Sequence, residues 1–240
     1  KKLTENIKEQ YVHDVFETIY NDYDKMNSII SFRLHMKWRE KVNAAMQIQP
    51  GSKVLDLCCG TGDWTFALSK AVGPKGQVIG VDFSEGMLSV AKRKGQQHML
   101  DNITFIQGNA MQLPFEVNSF DYITIGFGLR NVPDAKHVLA EMKRVVKPGG
   151  MIVILETSQP ENILYKPFFW LYFKYIMPFL GKIFAKSYLE YSWLQKSATD
   201  FPGMKVLAQW LAEAGFEKIS YRSFSGGAAA VHFGFKPMGS

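Results

Sequence analysis

Nine residues, Asp56-Leu57-Cys58-Cys59-Gly60-Thr61-Gly62-Asp63-Trp64, constrain the fold more than any other stretch of this 240-residue chain. A short apolar run, Lys53-Val54-Leu55, leads into them, and a helical pattern from Trp64 to Ser69 leads out. The order is strand, tight glycine turn, helix. Gly60 and Gly62 let the backbone turn sharply and pass close to something bound. The full G-x-G-x-x-G of dinucleotide folds is missing, and so is the Lys-Ser/Thr that closes a P-loop.

From Lys53 onward, apolar runs alternate with helical patterns. Strands are predicted over 53–57, 77–82, 103–108, 119–126, 150–156, 216–223 and 228–236, and helices over 62–72, 84–98, 134–146 and 203–214. Lys147-Pro148-Gly149-Gly150 reads as the stop signal of the third of these helices. Ser84, followed by Glu85, has the chemistry of an N-cap. Alternation of this kind builds an α/β fold with a seven-stranded, mostly parallel sheet and helices on both faces. Residues 1–50 form a helical cap, with Val12, Val15, Phe16 and Ile19 at helical spacing and a further repeat from Trp38 to Met46. Between those two patterns, Tyr23-Asp24-Lys25-Met26-Asn27 is too polar and irregular for simple core packing. Residues 157–200 break the alternation with a dense run of aromatics that includes Phe168, Trp170, Tyr175 and Trp193, read as a helical insertion in a single domain spanning 1–240.

Ligands in such sheets bind beyond the carboxyl ends of the strands. Asp56 closes the first strand and Asp82 the second. Two carboxylates at adjacent strand ends suit a ligand with a cation and a ribose and repel a pyrophosphate. That favours S-adenosyl-L-methionine over NAD. Thr61 offers a hydroxyl to the amino-acid end of such a ligand, and Asp82 accepts from the ribose hydroxyls. Asn109 ends the third strand with groups suited to an adenine edge, and Ala110 presents its backbone N–H. Gly126 ends the fourth. The bland alternatives are a helix-capping Asp at 82 and an ordinary turn Asn at 109.

A formal net charge of +6 permits contact with nucleic acid or an anionic surface. The lysines are scattered rather than massed, and the Asp/Asn-Pro-Pro-Tyr/Phe motif of nucleic-acid N-methyltransferases is absent after the fourth strand, so no nucleic-acid partner is expected. Arg130 and Asn131 stand there instead, where a methyl acceptor belongs. The adjacent Cys58 and Cys59 cannot pair, because neighbouring Cα atoms are only about 3.8 Å apart. They read as small buried hydrophobes in a reducing cytosol, and no metal site is expected. Lys1 to Gln10 is polar, unlike a signal peptide, and Lys166, Pro167, Lys174 and Pro178 spoil the apolar stretch from Ile163 to Leu180 as a membrane span. The aromatics and lysines of 163–194 fit a lid, or an apolar substrate wall, resting at a lipid interface.

Four segments resemble the ubiquinone/menaquinone biosynthesis C-methyltransferases. They are Tyr23-Asp24-Lys25-Met26-Asn27 through His35 to Trp38, Phe127 to Val132, Arg144-Val145-Val146-Lys147-Pro148-Gly149-Gly150 through Glu156-Thr157-Ser158, and Phe201-Pro202-Gly203-Met204. The first is the most specific, whereas Lys-Pro-Gly-Gly recurs across class I methyltransferases. Cys58 departs from the more general pattern, which has a glycine there. The resemblance implies a class I, Rossmann-like methyltransferase with cofactor positions at Thr61, Asp82, Asn109 and Ala110. It also implies methylation of a ring carbon of a polyprenylated quinol, demethylmenaquinol to menaquinol in the menaquinone branch. Such an enzyme is expected in the cytoplasm, in peripheral contact with membrane lipid, and a homodimer is compatible with it. Ring-carbon methylation needs a phenolate-like hydroxyl. Arg130 suits stabilisation of that charge, Asn131 lies beside it, and His35 and Tyr23 are the candidates to accept or relay the proton. A class I methyltransferase acting at oxygen on another lipid or phenol is a rival, as is a cofactor-binding scaffold without turnover.

Overall fold

Lys53–Leu57 (β1) carries apolar residues on both faces, and Val54, Leu55 and Leu57 are fully buried, as a central parallel strand requires. It pairs in parallel with Gln77–Asp82 (β2) on one side and Phe120–Gly126 (β4) on the other. Ile103–Gln107 (β3) extends the sheet beyond β2, and Val146–Thr157 (β5) extends it beyond β4. Ala229–Phe235 (β7) then joins β5 antiparallel, and Glu217–Phe224 (β6) forms the edge. The resulting seven-stranded order, β3-β2-β1-β4-β5-β7-β6, reverses direction of travel between β1 and β4. That switch point opens a crevice at the carboxyl ends of the strands. The computed structural model describes residues 5–31, 33–160, 167, 171, 175 and 188–239.

Strand parity divides the core. Leu55, Leu57, Ile123 and Ile125 face Ala135–Val145 (α6) and Met204–Glu213 (α8), whose Leu139, Met142, Leu207 and Leu211 are buried against them. Val54, Val78 and Val153 face the opposite side, where Leu34–Met46 (α3) and Asp63–Val72 (α4) bring Val42, Met46, Leu68 and Val72. Asp56 shares the parity of Val54 and therefore points toward α4.

Glu5–Ile19 (α1) packs Val12, Val15 and Ile19 with Met26 of Tyr23–Ile30 (α2), Met87 of Glu85–His98 (α5) and Leu194 of Tyr188–Asp200 (α7). The predicted cap is thus three helices, and the polar stretch from Tyr23 is itself helical. Met26 anchors α2 while its polar residues face the crevice loops. Ser84 caps α5 as expected, accepting from the Met87 N–H at 3.1 Å. The Lys-Pro-Gly-Gly stretch corrects a boundary. The helix ends at Val145, and residues 146–150 already belong to β5. Gly149, at φ +75°, lets the strand bend there, and its N–H bonds the Lys236 carbonyl while Lys236 N–H bonds that of Gly150. Of the aromatic insertion, 161–166, 168–170, 172–174 and 176–187 lie outside the described residues, and with them most of the expected lid.

Candidate active site

The β1–α4 turn is built around two buried carboxylates. Asp56 is 1% exposed, and its oxygens accept from Thr124 Oγ1 and Thr65 Oγ1, each at 2.7 Å. Burial pushes its pKa up to about 6, against the pull of those two hydrogen bonds. Asp82 accepts from the Gly60 N–H and the Ser84 N–H, both at 2.9 Å, and burial likewise raises it to about 6. Gly60 therefore ties the glycine turn to the end of β2. At Gly62, φ is +86° and an added Cβ would meet ring carbons of Phe105 and Phe66 at 3.0 Å, so this position takes only glycine without rearrangement.

Cys58 and Phe127, the residues directly after β1 and β4, both have left-handed backbone, with φ +50° and +58°. Such conformations cost non-glycine residues about 1–3 kcal/mol each and gather at functional sites. Both residues line a cleft of about 730 Å³, whose walls include Asp82, Asn109, Ala110, Gly126 and Asn131 from the strand ends, with Glu9, Phe16 and Tyr23 from the cap. A smaller polar cavity of about 390 Å³ contains Asn27, Arg39, Asp56, Thr61 and Asp63. The two share Tyr23, Cys58, Gly60 and Gly126, and so meet at the switch point. Cys58, which lines both cavities, and Cys59, which lines the smaller one, are half-buried and free, and burial with the surrounding carboxylates pushes their thiols well up in pKa, which makes them inert packing groups.

The donor set fits S-adenosylmethionine. Asp82 lies at the mostly apolar end. Asp56 and Asp63 lie at the polar end, with Arg39 as the cation that matches a carboxylate. Arg39 Nε and Asn131 Oδ1 are buried without a hydrogen-bond partner among the described residues, and the two residues line the smaller and the larger cavity respectively. Unpaired buried atoms of this kind are what a bound polar ligand would satisfy. Thr61 and Asn109 are more engaged than expected. Thr61 Oγ1 donates to Asp24 Oδ1 of α2 at 2.5 Å, while Lys94 bridges Asp24 and Asp63 at 2.9 and 2.5 Å. That cation and Arg39 hold the Asp63 carboxyl below its usual range. Asn109 donates to Glu9 at 2.9 Å and accepts from the Met111 N–H at 2.9 Å.

On the acceptor side, the expected residues separate. Tyr23 and Asn131 both line the larger cavity. The Tyr23 phenol is raised in pKa by burial, with Asn27 and the Arg130 charge pulling it partly back. Arg130 lines neither cavity. Its guanidinium is 9% exposed and donates to Glu156 Oε2 at 2.8 Å and to the Phe127 carbonyl at 2.9 Å, while Glu156 Oε1 accepts from its backbone N–H. The strand-end carboxylate Glu156, 2% exposed, has claimed the cation that the sequence assigned to the acceptor. His35 also stays off both linings. Its Nδ1 shares a hydrogen with Ser31 Oγ at 2.5 Å, and burial with the neighbouring Arg39 charge lowers its pKa to about 4. An imidazole that acidic is a poor base for a phenolic proton.

Glu9, Arg39 and Lys94 escaped the sequence reading, and Glu156 entered it only as part of a family-like segment, not as the partner of Arg130. Arg39 alone left a trace, since it stands one helical turn after His35 on the same face.

Solved structures with this architecture include a SAM-dependent methyltransferase from Aquifex aeolicus, at TM-score 0.65 and 22% identity over 88% of this chain and 96% of that one. They also include the [4+2]-cyclase SpnF, at 0.63 and 18% over 84% and 81%. Fold and crevice together define a class I methyltransferase architecture, and SpnF shows that this architecture alone does not fix the reaction. The narrower relationship comes from sequence. A model of the ubiE/COQ5 methyltransferase family matches residues 4–236, and the chain belongs to that family of S-adenosylmethionine-dependent methyltransferases. It is 59% identical over 229 residues to the demethylmenaquinone methyltransferase of Bacillus subtilis (strain 168) and 62% identical over 229 to that of Bacillus pumilus (strain SAFR-032), covering 95% of this chain and 98% of each relative.

Proposed function

We propose that the chain methylates a ring carbon of demethylmenaquinol, yielding menaquinol, with S-adenosylmethionine as donor. The relatives that share about three residues in five over nearly their whole length carry the name of that activity. The observation in this chain that carries the reading is Asn131, buried in the cavity wall with its side-chain oxygen unpaired among the described residues. S-Adenosylmethionine, when bound, supplies an electrophilic methyl group. Asp82 would hold the ribose, and Asp56 with Arg39 the amino-acid end. Asn131 accepts a hydrogen bond from a ring hydroxyl and so raises electron density at the neighbouring carbon. Tyr23 stays protonated at neutral pH because burial raises its pKa, so it donates to the developing phenolate rather than removing a proton; the hydroxyl proton, and after transfer the proton of the methylated ring carbon, pass to water. Arg130 then acts from behind the wall. Its pairing with Glu156 fixes the loop carrying Phe127 and Asn131, and its charge reaches Tyr23.

The test is transfer of labelled methyl to a demethylmenaquinol analogue, with the methylated position mapped. Ring-carbon product in the wild type, and turnover at least about 100-fold slower in Asn131→Ala with unchanged S-adenosylhomocysteine affinity, is expected. Methylation at oxygen would sink the proposal.

Peripheral membrane contact belongs to the same proposal, because a prenylated quinol resides in lipid. No helix among the described residues is long and apolar enough to cross a membrane. Ile7 and Tyr11, one turn apart on α1, together with Leu171 and Tyr175, expose large apolar side chains that support such contact. Co-sedimentation with anionic vesicles should weaken in Ile7→Ser/Tyr11→Ser, and unchanged binding would remove α1 from the contact.

A further inference from the structure

The cap grips the strand-end loops with charged side chains of α1. Lys8 Nζ donates to the Val132 carbonyl at 2.6 Å. Glu17 Oε1 accepts from Ser84 Oγ at 2.6 Å and from the Gly86 N–H at 3.1 Å. Those two contacts bind helix to loop, and neither Lys8 nor Glu17 lines the large cavity. Glu9 is different. It lines the cavity beside Asn109 and Ala110, and only one of its carboxylate oxygens, Oε1, has a hydrogen-bond partner among the described residues.

Asn109, meanwhile, has both ends of its amide engaged. Nδ2 donates to Glu9, and Oδ1 accepts the Met111 N–H inside the short bridge that joins Asn109 to Gln112. The sequence made Asn109 the reader of a purine edge, but its amide is committed to holding the loop and Glu9. An adenine edge offers an exocyclic N–H donor next to a ring-nitrogen acceptor. Recognition therefore needs one acceptor and one donor side by side. A carboxylate is the strongest acceptor available, and the Ala110 backbone supplies the donor.

We propose that Glu9 determines the purine specificity of the cofactor site, its unpaired carboxylate oxygen accepting from the 6-amino group of adenine. This rests on the larger cavity being the S-adenosylmethionine site. The consequence is that discrimination among purines lies on the N-terminal cap, while the strand ends hold the ribose. A purine with a carbonyl at position 6 would bring oxygen against carboxylate oxygen with no proton between them, and the site would reject it.

Isothermal titration of the full chain with S-adenosylhomocysteine and with S-inosylhomocysteine tests this in the wild type and in Glu9→Gln. The glutamine amide can accept from an amino group or donate to a 6-carbonyl, so it should relax the choice. The wild type is expected to favour the adenosyl ligand strongly, and the variant to narrow that ratio by about 10-fold or more, the scale of one charge-assisted hydrogen bond. Part of the narrowing should appear as tighter binding of the inosyl ligand than wild type achieves, which a damaged fold cannot produce. An unchanged ratio, whether both affinities fall or neither does, would overturn the proposal and leave Glu9 as an attachment of the cap. A wild type that binds neither ligand would instead bring down the cofactor assignment itself, a pattern distinct from an unchanged ratio.

Discussion

Asp56 offers a sharp test of how the site trades stability for binding. Its carboxyl is 1% exposed, and its folded pKa is about 6 against 3.8 for the free side chain. A raised carboxyl pKa means that the folded state holds the proton more tightly than the unfolded one. The stabilisation is complete below the unfolded pKa and is lost as pH rises through the folded pKa. Between pH 4.5 and pH 7.5 the wild type should lose about 2 kcal/mol at this position alone, since one pKa unit is worth about 1.36 kcal/mol. Asp56→Asn removes the titration and keeps the shape. It also disturbs the hydrogen bonds from Thr65 and Thr124, at a cost of about 1 kcal/mol per bond that does not vary with pH. The difference in unfolding free energy between variant and wild type should therefore move in favour of the variant by about 2 kcal/mol across that interval. Relief of the repulsion between Asp56 and Asp82 acts in the same direction. Urea denaturation of both proteins at the two pH values measures it. A difference that stays constant with pH, or moves the other way, would refute the claim that burial strains this carboxylate. Affinity for S-adenosylhomocysteine should fall in the same variant, since the stability gained is what the ligand's cationic group otherwise offsets.

Glu156→Gln breaks a buried pair and leaves Arg130 inside with its main partner lost, so unfolding should become easier by about 3–5 kcal/mol. A loss under about 1 kcal/mol in equilibrium denaturation would show the pair to be dispensable. Gly126→Ala places a Cβ 2.8 Å from the Trp64 ring, and thermal unfolding should report an overpacking cost of about 1–3 kcal/mol together with weaker cofactor binding. Asp24→Ala frees Thr61 and leaves Lys94 to Asp63. Because these side chains are about a third exposed, the stability cost should stay below about 1 kcal/mol, while amide exchange across α2 quickens; unaltered exchange would remove Asp24 as the latch.

The strands were legible because buried parallel strands announce themselves as short apolar runs between helical patterns, and most predicted bounds fall within a residue or two of those observed. The start of β5 was missed for a local reason. A Pro-Gly-Gly sequence ends a helix whether the chain then turns or enters a bent strand, and only pairing with β4 and β7 decides which. The stretch from Tyr23 to Asn27 is no simple core segment, as its polarity implied, yet it is a helix, because a helix needs just one buried residue, here Met26, when its polar side chains find partners elsewhere.

At the site, sequence could name the residues that the fold brings together by rule, namely Asp56, Asp82, Asn109 and Gly126 at successive strand ends. It could not see partners that neutralise or occupy them. Asn109 meets Glu9 across 100 positions, Asp24 meets Lys94 across 70, and Arg130 meets Glu156 across 26. No spacing rule links such pairs. The ion pair at Arg130 is hidden from sequence for this reason. A lone cation after a strand looks like a charge waiting for substrate, but an ion buried in the wall needs a counter-ion of its own, and the end of the adjacent strand supplies one. Arg130 and Glu156 offset each other's charge behind the wall, on the side of the cavity where Asn131 stands. On the proposed function, the residues that meet an uncharged quinol are Tyr23, a protonated donor, and Asn131, an acceptor unpaired among the described residues. That pairing of neutral groups suits a substrate whose charge exists only on the way to the transition state, because donors that are already fixed there stabilise it without first binding the ground state more tightly.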